Sequence, residues 1–163
     1  MRDIIKNEFD QHIKAASLLH SLTDELAISA KICIDCLRNG GKILLFGNGG
    51  SASDAQHIAA ELVGRYKIER KSLSAIALTT DTSTLTSISN DYGYKYIFSR
   101  QLEALANEGD VVIGLSTSGT SENVINALEL ASELGCMTIG LSGKKIGVIN
   151  DICDVNLNAP SND

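Results

Sequence analysis

From residue 42 onward the chain is built of short, almost wholly apolar runs, at 43–46, 74–78, 111–115, 137–141 and, more weakly, 154–157, set between longer stretches of helical periodicity. A strand that is apolar on both side-chain faces needs cover on both, and the intervening helices can supply it. This pattern predicts an α/β fold: a doubly wound, mainly parallel five-stranded sheet of the flavodoxin-like sandwich type. Ahead of it, Ile4, Ile5, Phe9, Ile13, Ala16 and Leu19 recur near the helical period from residue 2 to about 20. A second helix is expected to start at Thr23 or Asp24 as N-cap, run through Leu26, Ile28, Ile32 and Leu37, and stop at Gly40 and Gly41. The expected organisation is one domain over 1–163, with N-terminal helices in 1–40 and an α/β core in 42–158.

Charge narrows the partners. A net charge of −6 argues against a non-specific binder of nucleic acid or of anionic membrane, both of which want a basic face. No apolar run reaches the roughly 18 residues that span a bilayer, and residues 1–20 mix charges with aliphatics rather than forming a secretory core, so a cytoplasmic location is expected. In that setting Cys33, Cys36, Cys136 and Cys153 are expected to be reduced thiols. Cys33 and Cys36 form a C-x-x-C, but inside a helical pattern and with no second pair to complete a zinc site, so they are read as half-buried helix residues.

In open α/β sheets ligands bind beyond the carboxyl ends of the strands. The first strand is followed by Gly47-Asn48-Gly49-Gly50-Ser51-Ala52-Ser53, where glycines let the backbone approach a ligand and Ser51 or Ser53 can cap the next helix. The third is followed by Ser116-Thr117-Ser118-Gly119-Thr120-Ser121, five hydroxyls and a glycine leading into a helix expected over 122–134. One helix cap needs one hydroxyl. Five of them beside the free N–H groups of a helix N-terminus make a phosphate cradle that needs no lysine. The first loop also fits G-x-G-x-x-A, but a dinucleotide site wants an acidic residue closing the second strand, and here Leu78-Thr79-Thr80 stands there with Asp81 arriving late. His57 and Glu61, four residues apart on the helix after the glycine loop, share a face and could hold one metal or one substrate atom, or could be an ordinary surface pair.

The run from Phe46 to Leu62, with Gly64-Arg65-Tyr66 after it, resembles the signature of the phosphoheptose isomerases, a family of the sugar isomerase (SIS) domain class. So do Ser89-Asn90-Asp91-Tyr92-Gly93-Tyr94 and Leu115-Ser116-Thr117-Ser118-Gly119-Thr120-Ser121. The three segments in this order are specific, whereas Ser-Thr-Ser-Gly alone would indicate only the broader domain. The resemblance implies conversion of sedoheptulose 7-phosphate to D-glycero-D-manno-heptose 7-phosphate, the entry to heptose for lipopolysaccharide, capsule or other surface glycans, by a homo-oligomer, a tetramer in the family. It further implies that Ser116, Thr117, Ser118 and Ser121 hold the phosphate, that Asn48, Gly49, Gly50 and Ser51 line the sugar, and that Asn90 and Asp91 meet its hydroxyls. His57 and Glu61 match the family's zinc ligands, and Glu61 also its catalytic carboxylate.

The family continues into a final helix with an I-Q-E-x-H pattern that adds a glutamine and a histidine, neither of which occurs in these 163 residues; His12 and His20 lie in the N-terminal helices. Two other uses of such a domain follow from the same resemblance: a non-catalytic interaction module of the kind that associates with a replication initiator, and a phosphosugar sensor.

Overall fold

The computed structural model describes residues 1–143 and 145–161, so the expected core at 42–158 is covered except for residue 144. Two helices, α1 (Arg2–Leu18) and α2 (Thr23–Arg38), are joined by a 3₁₀ turn at Leu19–Leu22. Then β1 (Ile43–Gly47), α3 (Gly50–Val63), β2 (Ala75–Ala77), α4 (Thr82–Asp91), a 3₁₀ turn at Tyr94–Tyr96, α5 (Ser99–Leu105), β3 (Val111–Ser116), α6 (Glu122–Glu133), β4 (Met137–Ser142), α7 (Ile149–Ile152) and β5 (Val155–Asn158) follow. The five strands form one all-parallel sheet in the order β2-β1-β3-β4-β5. The fold class expected from the apolar runs is the one observed.

Alternate residues of each strand feed opposite faces. On one side Leu44, Phe46, Leu78 and Val112 pack with Phe98, Leu102, Val124, Ala127, Leu128 and Ile149 from α5, α6, α7 and the segment before them. Phe46 and Phe98 stack there with ring centroids 4.9 Å apart. On the other, Ile43, Leu45, Val111, Ile113, Leu115 and Ile139 pack under Ala55 and Ala59 of α3 and Cys36 of α2.

This second face corrects the expectation that crossover helices alone would cover the sheet. Of the helices between strands only α3 lies on it, over β1 and β2; α2 covers the rest with Ile32, Cys33, Cys36 and Leu37. Both thiols of the C-x-x-C therefore serve packing. Burial, the first cause, and the neighbouring Cys36 push the Cys33 thiol up, and burial followed by the Asp110 charge does the same for Cys36. Thr23 is a second correction. It is the first helical residue of α2, after Leu22 at the N-cap, and its hydroxyl donates back to the His20 carbonyl at 2.7 Å rather than accepting from the helix.

At the amino end of the sheet, Asp110 closes the turn before β3. Its carboxylate accepts from the Lys42 N–H at 2.9 Å, the Asn107 N–H at 2.8 Å and the Lys42 ammonium at 2.5 Å. Burial by itself would raise this carboxyl, but the Lys42 ammonium and the two backbone N–H groups outweigh it and hold its pKa below the usual carboxylate value. A depressed folded-state pKa stabilises the fold fully above the unfolded value of about 3.9, and the contribution is lost as pH falls through the folded value. Asp110→Asn, which leaves Lys42 half-buried without its counter-charge, should cost about 3 kcal/mol by urea unfolding at pH 7, with the gap to the parent protein closing in acid as pH falls through the lowered pKa of Asp110. A gap of equal size at pH 7 and in acid would mean that the charge is not what stabilises.

Candidate functional site

The chain leaves β1 toward β2 on one side and β3 toward β4 on the other, so at the carboxyl ends of these adjacent strands the two loops diverge and leave a crevice between them. Gly47 pairs with Leu115 in the parallel register. The next residues, Asn48 and Ser116, therefore open the two unusual loops next to each other.

The glycine loop turns sharply at Gly49, where φ is +57° and ψ is −119°, a conformation essentially closed to residues with a Cβ. Gly49 is the N-cap of α3 and no side chain caps it, so neither Ser51 nor Ser53 plays the capping part expected. Ser51 instead lines a cavity of about 440 Å³ together with Ser116 and Thr117 of the second loop, Asp54, and a wall of leucines that includes Leu19, Leu22 and Leu26. Asn48 and Gly49 border a smaller one of about 120 Å³ with Thr79, Tyr94 and Phe98.

The hydroxyl loop is held from behind. Gly119 has a φ of +66° and lies so close to Gly147 that a Cβ there would come within 3.2 Å of the Gly147 Cα. The carbonyls of Thr117 and Gly119 accept from the N–H groups of Gly143, at 3.0 Å, and Ile149, at 3.1 Å. With those carbonyls engaged away from the cleft, the hydroxyls cluster on its side. The Ser116 hydroxyl donates to Ser121 Oγ at 2.9 Å, and the Thr120 hydroxyl to Ser118 Oγ at 3.0 Å. Ser121 occupies the N-cap of α6, yet its hydroxyl makes no capping bond to the helix. Capping alone therefore does not account for these side chains. They surround the N-terminus of a 12-residue helix, where unpaired N–H groups and the helix dipole favour an anion.

His57 and Glu61 project from one face of α3, Nε2 to Oε1 3.7 Å apart, with the imidazole 75% and the carboxylate 34% exposed. Among the described residues no group of three or more His, Cys, Asp or Glu side chains could hold a metal ion. Asn90 and Asp91 close α4, both exposed, with the Asn90 amide donating to Asp91 Oδ1 at 2.8 Å. They border neither cavity, and the segment reaches the loops through Tyr94, whose hydroxyl donates to Asn48 Oδ1 at 2.9 Å. Asp81, weighed as a late dinucleotide acid, is the N-cap of α4. It accepts from the Thr84 N–H at 3.0 Å and from the Thr84 hydroxyl at 2.7 Å, bonds that lower its pKa. It is not free to hold a ribose.

Two participants were not singled out in the sequence. Asn123, in the first turn of α6, exchanges reciprocal amide hydrogen bonds of 2.9 Å with Asn48, and Tyr94 completes that group. Asn123 had a readable signal, because it lies four and eight residues before Ala127 and Ala131 on the buried stripe of α6, where a polar side chain needs a partner.

The sequence profile of the SIS domain matches residues 9–143. The phosphoheptose isomerase of Aliarcobacter butzleri is 57% identical over 164 aligned residues, covering all of this chain and 87% of that protein. The chain belongs to the phosphoheptose isomerase family. Solved phosphoheptose isomerases carry the same fold: the one from Neisseria gonorrhoeae superposes with a TM-score of 0.92 at 44% identity over 98% of this chain and 86% of that one. The one from Francisella tularensis gives 0.95 at 39% identity over 99% and 86%. The phosphoheptose isomerase resemblance carried by the three segments is thus borne out over the whole chain.

A phosphate on the hydroxyl loop would be held by neutral donors, since no Lys or Arg occurs in 116–121. Ser118→Ala or Ser121→Ala should therefore raise the dissociation constant of a sugar phosphate roughly tenfold to hundredfold by calorimetry, the loss of about 1.5 to 3 kcal/mol in hydrogen bonding to a charged group. Unchanged affinity would remove the loop from the site.

Proposed function

We propose that the chain interconverts sedoheptulose 7-phosphate and D-glycero-D-manno-heptose 7-phosphate, with the phosphate on the hydroxyl loop and the sugar across the glycine loop. The observation that carries this reading is the hydroxyl group at 116–121, which forms its own network at the N-terminus of α6 without capping it, directly beside the glycine loop. The homologues act in its favour as well, being phosphoheptose isomerases at full coverage of this chain. The protein is an aldose–ketose isomerase. A phosphorylated substrate, which does not cross a membrane unaided, suits the cytoplasmic location expected from the sequence, and no described helix is long and apolar enough to span a bilayer. Supply of heptose for lipopolysaccharide or capsule is the use this reaction would have.

Moving the carbonyl between C2 and C1 needs a base that takes a carbon-bound proton and returns it to the neighbouring carbon, and donors that stabilise the enediolate between. Glu61 is assigned as the base. Its carboxylate is partly sheltered on α3, the helix launched by the glycine loop, and the Arg70 guanidinium steadies that end of the helix by donating to the Glu61 carbonyl at 2.7 Å and the Leu62 carbonyl at 2.9 Å. Asn48, Gly49, Gly50 and Ser51 are assigned to the sugar, and Asn90 and Asp91, which border neither cavity, are assigned to its hydroxyls on the family resemblance alone.

Zinc is expected from the family resemblance. The imidazole of His57 and the carboxylate of Glu61 are a nitrogen and an oxygen donor on one helix face, a set that suits zinc and supplies two of the three or four protein ligands it takes. When bound, zinc would polarise the sugar's oxygens as a Lewis acid. A carboxylate that serves a metal is a weaker base than a free one, so the two assignments of Glu61 compete.

Turnover across a zinc titration separates them. Glu61→Gln should lower kcat about 10²- to 10⁴-fold at every zinc level while substrate binding survives. Recovery with excess zinc would make Glu61 a ligand rather than the base, and parent-like turnover throughout would remove it from catalysis.

The tetramer is proposed on the same resemblance, supported by α1. Ile4, Ile5, Phe9 and Ile13 form an apolar stripe that is 67%, 51%, 64% and 64% exposed, an unfavourable state for an isolated helix in water. Deleting residues 1–20 should give smaller or aggregated species by light scattering. A well-behaved monomer before and after the deletion would contradict this.

A further inference from the structure

Asn123 is 4% exposed, and its amide lies in the first turn of the helix launched by the hydroxyl loop. Across the gap between β3 and β1 it meets Asn48 of the glycine loop, 75 positions away in sequence, in a two-way pair: each Nδ2 donates to the other's Oδ1 at 2.9 Å. A third bond joins this pair, since Tyr94 donates its hydroxyl to the same Asn48 Oδ1 at 2.9 Å. A carbonyl oxygen has two lone pairs, so Asn48 Oδ1 is fully used. Of the two protons on Asn48 Nδ2, one goes to Asn123 and the other is engaged by no described residue.

We infer that Asn123 is a positioning residue for the isomerisation: by locking the Asn48 amide it makes that side chain present a single N–H donor, and no acceptor, to the sugar. This rests on the reading of Asn48 as a sugar contact. The chemistry gives the lock a purpose. A hydroxyl can accept or donate, but a carbonyl oxygen and the enediolate oxygen derived from it can only accept, and the bond to the enediolate is the stronger because it carries charge. An amide free to turn would present its own oxygen half the time and repel that charge. The pair also ties the loop assigned to the sugar to the helix assigned to the phosphate, so that the two ends of one ligand are held at a fixed spacing.

The test is a double-mutant cycle on turnover of sedoheptulose 7-phosphate by the intact protein, with Asn48→Ala, Asn123→Ala and the two combined. Asn123→Asp, which keeps the size and the acceptor but loses the donor, is run alongside in case the alanine variant is poorly folded. Either change at 123 is expected to lower kcat about 10- to 100-fold while KM moves less than about threefold, and Asn123→Ala should add less than about twofold to the loss caused by Asn48→Ala. An equal further loss in both backgrounds, or an unchanged kcat, overturns the inference and leaves Asn123 a structural residue. If Asn48→Ala alone is parent-like in kcat and KM, the reading of Asn48 as a sugar contact fails first and takes this inference with it. Side-chain amide NMR reads the lock without turnover: the two Asn48 Nδ2 protons should exchange at clearly unequal rates in the parent protein and at similar rates in Asn123→Ala. Similar rates in the parent would overturn the inference.

Discussion

The direct parallel pairing of β1 with β3 is the constraint on which the arrangement at the carboxyl edge depends. These strands are adjacent in space, although β2 and three helices separate them in sequence, because the chain builds outward from β1 in one direction and from β3 in the other. The connection from β2 to β3 crosses this pair on one face, with Phe98 and Leu102 against Leu44, Phe46 and Val112, while at the carboxyl edge the two loops leave in opposite directions. Gly47 opposite Leu115 sets the register, so both loops emerge at the same height. A slip of one residue would turn Asn48 away from the cleft and put the alternating core residues of β1 on the wrong faces.

What that pairing brings together is the proposed anion site of an acidic protein. With a net charge of −6 the chain repels a phosphorylated sugar at long range, and the hydroxyl loop has no cation of its own to offset this. Attraction must therefore be local and directional, which places weight on how the loop is held. The contact of Gly119 with Gly147 and the bonds that take up the Thr117 and Gly119 carbonyls turn the loop's acceptors toward α7 and its donors toward solvent. The polar closure of β4, α7 and β5 has a part in this: Asn158 donates to Ser142 Oγ, and Asn150 accepts from the Gly147 N–H. The edge strand β5 thus supports the loop, and its Leu157 lines the larger cavity beside it.

The fold was legible because four strands read as apolar runs and the edge strand β5, Val-Asn-Leu-Asn, as a weaker one, and tertiary context had little left to override. The hydroxyl cluster at the N-terminus of α6 was legible for a different reason, since five hydroxyls in six residues exceed what any helix end requires. What escaped was whatever depends on distance across the fold. The buried stripe of α6 shows that Asn123 needs a partner, but only the β1/β3 pairing makes that partner Asn48. The covering role of α2 escaped because periodicity shows that a helix has an apolar face but not which surface it meets. Ser51 and Ser53 were offered as caps on residue type, where Gly49 takes the position because its backbone angles exclude any side chain.

The central claim is that these two loops bind one ketose phosphate and pass a proton between its C1 and C2. It is tested most directly by incubating the protein with sedoheptulose 7-phosphate in D₂O and following the sugar by NMR. Proton transfer through an enediolate predicts an aldose heptose 7-phosphate carrying deuterium at C2, since a base that shuttles the proton exchanges it with solvent. No aldose at all from a chain that binds the substrate would contradict the account.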